Sequence, residues 1–200
     1  MFVKICGLRE PEHVLAAIDA GADAVGFVLT ESPRLVSTEL ARELVGVAGD
    51  RALTVGVFRN ETVDAIMHLA EAAGVSAIQV HGVRGRAEIS KLTTLGRTLI
   101  RAVSFDDPSL EENYGENMLL VDAPRPGSGE TWDYAAMSQL SLSSAGGQWL
   151  LAGGLTPDNV AAAIAAATPW GVDVSSGVET SPGVKSVDLI RAFVKAAKGY

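Results

Sequence analysis

A single cysteine, Cys6, stands among 200 residues. That excludes an internal disulfide and a cysteine-built zinc site, and it suits a reducing compartment. Histidine is almost as scarce: His13, His68 and His81 show no metal-site spacing, so a catalytic metal is not expected. No apolar run reaches the roughly 18 residues that span a bilayer, and no membrane partner is expected. The first residues lack the basic segment, long apolar stretch and small-residue cleavage site of a signal peptide, which makes a cytoplasmic location the expectation. Positive charge is short as well. Sixteen Lys and Arg against 24 Asp and Glu leave a net charge of -8, which argues against nucleic acid but leaves room for a small anion at a locally positive site.

What the chain does have is a rhythm. Short apolar, often β-branched runs alternate with Ala- and Leu-rich amphipathic segments from end to end. Strands are read at "FVKIC", "AVGFVL", "LTVGVF", "AIQVH", "LIRAVS", "MLLVDA", "WLLAG" and "VDVSS". Helical patterns such as "EPEHVLAAIDAG", "STELARELVGVAG", "ETVDAIMHLAEAAG" and "TPDNVAAAIAAAT" lie between them. Ser37 and Thr156 stand where N-caps belong, and Gly21 and Gly74 where helices stop. The segment "DDPSLEENYGEN" is short and polar and carries the weakest helical pattern. Eight such units average about 25 residues each, lean but sufficient for a (β/α)₈ TIM barrel with parallel strands. The competing fold is an open doubly wound sheet, but "CGLREPEH" lacks the Gly-rich fingerprint that usually follows its first strand. One domain over residues 1–200 is expected, since no linker or charge block divides the chain.

Barrels of this type carry their sites at the C-terminal ends of the strands. Cys6 ends the first strand, His81 the fourth, Asp122 the sixth, and Ser175 and Ser176 the eighth. The two-residue period of a strand puts Lys4 on the same side as Cys6, Gln79 with His81, and Asp173 with Ser175. Lys4 and Asp173 then face each other across the seam where the barrel closes, and an interior ion pair is expected because an unpaired charge there is costly. Gly153–Gly154 and Ser176–Gly177 fall in the loops after the seventh and eighth strands, the common phosphate site of these barrels. A phosphorylated small molecule is the expected partner.

Each residue also has a plainer reading. Cys6 could be a buried small hydrophobe, Asp122 a loop cap, and Arg34 and Arg125 solvated charges. His81 reads equally as pocket wall or structural hydrogen-bonder. "APRPGSGETWDY" reads as a surface connection or as an active-site lid.

The stretches "VKICGL", "GADAVGFV", "SPRLVS", "IQVHG", "LLVDA", "PGSGETWDY", "LAGGLTPDNV" and "VDVSSGVETSPGVK" run in order from residue 3 to residue 185. Taken together they resemble the phosphoribosylanthranilate isomerase family of tryptophan biosynthesis. The resemblance implies a cofactor-free Amadori rearrangement of N-(5-phosphoribosyl)anthranilate. It makes Asp122 the acid that opens the ribose ring and Cys6 the base that takes the C2′ proton. It also makes Arg34 the contact of the anthranilate carboxylate and the two glycine turns the phosphate grip. One departure stands out: the segment before "SPR" is a residue shorter than is common in the family and carries Thr30 and Glu31. Bifunctional isomerases of histidine and tryptophan synthesis resemble this fold but carry an aspartate where Cys6 stands. A phosphate-sugar epimerase would want strand-end metal ligands, and a Schiff-base aldolase a lysine nearer the rim than Lys4. A binder of phosphoribosyl ligands that had lost turnover would have no need to keep both Cys6 and Asp122. With no long apolar seam in view, a monomer is expected.

Overall fold

The computed structural model describes residues 1–82, 84–123, 133–139 and 148–199. Eight parallel strands close into a barrel in sequence order. They are β1 (Phe2–Cys6), β2 (Ala24–Val28), β3 (Leu53–Phe58), β4 (Ala77–Val80), β5 (Thr98–Ser104), β6 (Met118–Asp122), β7 (Trp149–Leu151) and β8 (Gly171–Val174). Among the described residues five helices fill crossovers between them: α1 (Pro11–Asp19), α2 (Thr38–Ala48), α3 (Val63–Ala73), α4 (Arg86–Thr93) and α5 (Val160–Ala167). A short antiparallel hairpin, β9 (Glu179–Ser181) with β10 (Val184–Lys185), follows β8, and α6 (Val187–Lys198) ends the chain.

Strand alternation divides the core in two. Side chains such as Val3, Ile5, Val25 and Phe27 point outward and pack under the helices with Leu44, Ile66 and Phe193. Their neighbours Ala24, Val55, Val57, Ile100, Leu120 and Leu150 fill the barrel interior together with Cys6. The strands read from sequence agree with the observed ones within two residues at each end. His81 lies one residue beyond β4, and Ser175 and Ser176 just beyond β8 where Ser176 opens a short 3₁₀ turn, so none of the three is on a strand.

Local signals hold for some helices and fail for others. Ser37 caps α2 by accepting from the Leu40 N–H at 3.2 Å, and Gly74 ends α3 in the left-handed region. Thr156 does not cap α5. Its N–H is taken by Asn159 Oδ1 at 2.7 Å, so residues 156–159 form a turn and the helix begins at Val160. Between β5 and β6 there is no helix. Pro108 and a run of polar side chains favour turns, and Asp107 accepts from the Ser109 N–H and hydroxyl. The buried Arg101–Glu116 pair at 2.8 Å anchors that connection to β5.

Candidate active site

The strand ends surround a cleft of about 300 Å³, lined by Cys6, Arg34, Arg59, Gln79, His81, Asp122, Asp173 and Ser175 among others. A smaller hollow adjoins it, walled by Gly153, Gly154, Asp122, Asp173, Ser175 and Ser176. The structure thus gathers Cys6, Arg34, His81, Asp122, Asp173 and Ser175 in one cleft, with the glycine turns beside it. Arg125 and the rest of residues 124–132, the candidate lid, lie outside the described residues.

Asp122 ends β6 with its side chain turned into the barrel, only 9% exposed. Its Oδ1 accepts the N–H of Ala123 at 2.8 Å. Burial pushes its carboxyl up to about 6; Asp173 adds to the rise, while the Ala123 N–H, Arg59 and Lys4 oppose it. A carboxyl raised to about 6 is mostly ionised at pH 7 but keeps a protonated fraction that a general acid can use.

Cys6 ends β1 and is 6% exposed. Burial drives its thiol above the ordinary value; Lys4 and Lys185 pull it down and Asp173 opposes them, leaving the net shift upward. The base role that the resemblance implies for Cys6 calls for a lowered thiol, and the net shift here is the opposite. Positive charge is present but burial outweighs it.

Beneath the cleft, Lys4 donates to Asp173 Oδ1 at 2.8 Å, the interior pair expected from strand parity. Lys4 and Asp173 are also direct register partners across the β1–β8 seam. Gln79 Nε2 donates to His81 Nε2 at 2.8 Å. Burial, with the charges of Arg59 and Lys4, lowers His81 to about 3, so its imidazole is neutral at pH 7.

Arg34 lines the cleft despite the shortened segment before it. A bridge between Leu35 and Val28 lays the "SPR" turn along the end of β2, and Ser32 Oγ accepts the Arg34 N–H at 3.1 Å. The guanidinium makes a two-pronged pair with Glu179, Nε at 2.7 Å and Nη2 at 2.9 Å. Lys185 meets the same carboxylate at 2.7 Å and also donates to the Ser175 carbonyl at 2.8 Å. Burial works against the charge of Glu179, but the bonds from Arg34 and Lys185 prevail and hold it at about 2.

Glu179, Lys185 and Arg59 are the residues that reading from sequence misses. The signal for the hairpin is Pro182–Gly183 between "ETS" and "VK". Arg59 follows β3 directly, at a strand end like the other candidates, and its guanidinium makes no hydrogen bond or ion pair among the described residues.

Gly153 and Gly154 both take left-handed φ, 84° and 65°. Gly177 is required by contact: a Cβ there would lie 1.8 Å from the Leu155 carbonyl oxygen. The loops after β7 and β8 therefore touch backbone to backbone. The N–H groups of Gly154, Ser176 and Gly177 have no hydrogen-bond partner among the described residues. Clustered N–H groups of this kind suit a phosphate. Among the described residues, no three His, Cys, Asp or Glu side chains gather as a metal site.

Comparison with known proteins points one way. The family model described as N-(5'phosphoribosyl)anthranilate (PRA) isomerase matches residues 3–196. An N-(5'-phosphoribosyl)anthranilate isomerase of Roseiflexus castenholzii is 41% identical over 99% of this chain and 98% of its own length. Among solved structures, TrpF from Jonesia denitrificans is 42% identical with a TM-score of 0.85, covering 100% of this chain and 97% of its own. A phosphoribosyl anthranilate isomerase in complex with reduced 1-(o-carboxyphenylamino)-1-deoxyribulose 5-phosphate is 34% identical with a TM-score of 0.85, covering the whole of both chains.

Proposed function

This chain belongs to the N-(5'-phosphoribosyl)anthranilate isomerase family, and from that premise we propose that Asp122 and Cys6 are the acid and base of its isomerisation. The observation that carries the assignment is their shared cleft: a carboxyl held near pH 6 and a thiol, at strand ends beside backbone N–H groups that have no partner among the described residues. The phosphate of the substrate sits on Gly153, Gly154, Ser176 and Gly177. The anthranilate carboxylate meets Arg34, whose remaining N–H groups are oriented by Glu179.

The steps conserve atoms and electrons within the substrate. Asp122 gives its proton to the ribose ring oxygen, the C1′–O bond breaks, and the anilinic nitrogen lone pair forms a protonated Schiff base. Cys6, as thiolate, removes the C2′ proton, and the released electron pair moves into a C1′–C2′ double bond while neutralising the iminium. The enolamine then loses the proton of its C2′ hydroxyl and gains one at C1′, giving the 1-deoxyribulose ketone.

The two shifts set the protonation state. With Asp122 near 6 and Cys6 above the ordinary thiol value, most of the free enzyme at neutral pH holds a carboxylate and a thiol. The working pair carries the same single proton on Asp122 instead. The negatively charged substrate favours protonated Asp122, and the iminium formed next favours the thiolate.

The test is direct. Purified protein without added metal is mixed with phosphoribosylanthranilate, and loss of its fluorescence is followed. Turnover supports the assignment of activity, and a folded but silent protein overturns it in favour of a non-catalytic binder.

A further inference from the structure

Lys4 is wholly buried, and its pairing with Asp173 suggests a strut and nothing more. The geometry above β2 adds a second role. Gly26 is the register partner of Cys6, and Ala24 that of Lys4. A Cβ built at Gly26 would lie 3.0 Å from Cys6 Sγ and 3.3 Å from Lys4 Nζ. Two side chains from successive inward positions of β1 therefore lean over the one place on β2 that has no side chain. That shared point keeps them within the roughly 6 Å over which an opposite charge shifts a titration. Any larger residue at position 26 would occupy the space where ammonium and sulfur meet.

We propose that Lys4 is the positioning residue of the base: its ammonium, clamped by Asp173, stabilises the thiolate of Cys6 in a cleft that otherwise disfavours it. The proposal rests on Cys6 acting as the base. Lys4 works through the sulfur and needs no contact with substrate.

The charge balance fits. Burial alone pulls Lys4 down, but Asp173 and Cys6 together outweigh burial and hold its titration above the ordinary value. Around the sulfur, Asp173 on β8 opposes the thiolate, while Lys185 on β10 favours it. Arg34, beyond β2, also couples to Cys6 but is matched by Glu179. Across the cleft stand Arg59, Glu31 and Asp122, with His81 neutral. Lys4 is the largest favourable charge on that thiol.

Because Cys6 is the only cysteine, alkylation by iodoacetamide followed by mass spectrometry across pH reads this one thiol with no background and no substrate. Lys4→Met is expected to raise the alkylation midpoint by about one pH unit or more, and Asp173→Asn to lower it. A merely loosened barrel would admit water and bring both midpoints down towards the ordinary value near 8.5. The upward movement is therefore the signature. A Lys4→Met midpoint at or below that of the unaltered protein overturns the proposal. Should Lys4→Met fail to fold, with Asp173 buried and unpaired, the Lys4→Met/Asp173→Asn double variant replaces it. Its midpoint must then exceed that of Asp173→Asn alone. In turnover, kcat should fall about tenfold for every pH unit by which the midpoint rises, with KM within about twofold. The alkylation result stands apart from the isomerase assay, so a failure of either is separately visible.

Discussion

Under the proposed mechanism Asp122 must deliver a proton from a place where its charge is unwelcome, and this has consequences for both rate and stability. Replacing Asp122 with Asn or Cys6 with Ala should lower kcat by at least about 100-fold, while binding of the reduced product analogue changes only a few-fold. Retained turnover in either variant would remove that residue from its role. The pH profile of kcat/KM should be a bell whose acid limb lies near 6 and whose basic limb lies above the ordinary thiol range. Because the working form is the minority one, the limbs belong to the pair rather than to either residue. For stability the sign runs the opposite way from a salt-bridged carboxylate. The folded state holds the Asp122 proton more tightly than the unfolded chain, so stability falls as pH rises from about 4 through about 6. Asp122→Asn should therefore be more stable than the unaltered protein at pH 7 by about 3 kcal/mol, a difference that vanishes below pH 4. Urea unfolding at the two pH values measures it.

At the scale of elements, the β9–β10 hairpin is too short to hold itself together, and the carboxylate of Glu179 ties it to the cleft through Arg34 and Lys185. Glu179→Ala leaves two cations without their counter-charge. The expected result is a loss of about 3 kcal/mol in unfolding free energy together with a raised KM. An unchanged KM would mean that Arg34 does not need this support to meet substrate. The loops after β7 and β8 depend on each other in a different way, by backbone contact at Gly177. Gly177→Ala must separate them, so affinity for substrate and for inorganic phosphate should fall by about tenfold or more, while the Cys6 alkylation midpoint stays put. Local periodicity carries the strand positions to within two residues, because alternation depends only on which face of a strand is buried. It misplaces the start of α5, where Asn159 rather than Thr156 organises the turn. It also overlooks the hairpin, because two strands of two and three residues leave almost no periodic trace.

At the scale of the molecule, the two ends of the barrel have separate tasks. The bottom is closed by Phe2 stacked on Trp170, ring centres 4.6 Å apart, and the top holds the cleft. Phe2→Ala should cost about 2 kcal/mol or more in stability and leave kcat/KM within about twofold, which thermal melts and the fluorescence assay together would show. Loss of activity in the folded variant would mean that the bottom packing reaches the site.

The strand rhythm, the placing of Cys6 and Asp122 at strand ends, the pairing of Lys4 with Asp173 and the glycine turns were all legible in the chain itself. Each follows from short-range period plus the closure of eight strands, a rule that needs no coordinates. Only the tertiary structure decided the rest. Arg34 finds its partner 145 residues away. Cys6 titrates high rather than low because burial outweighs the nearby cations. Lys4 and Cys6 converge over Gly26 because β2 happens to lack a side chain there. Burial and through-space charge are sums over the whole fold, and no local stretch of sequence contains them.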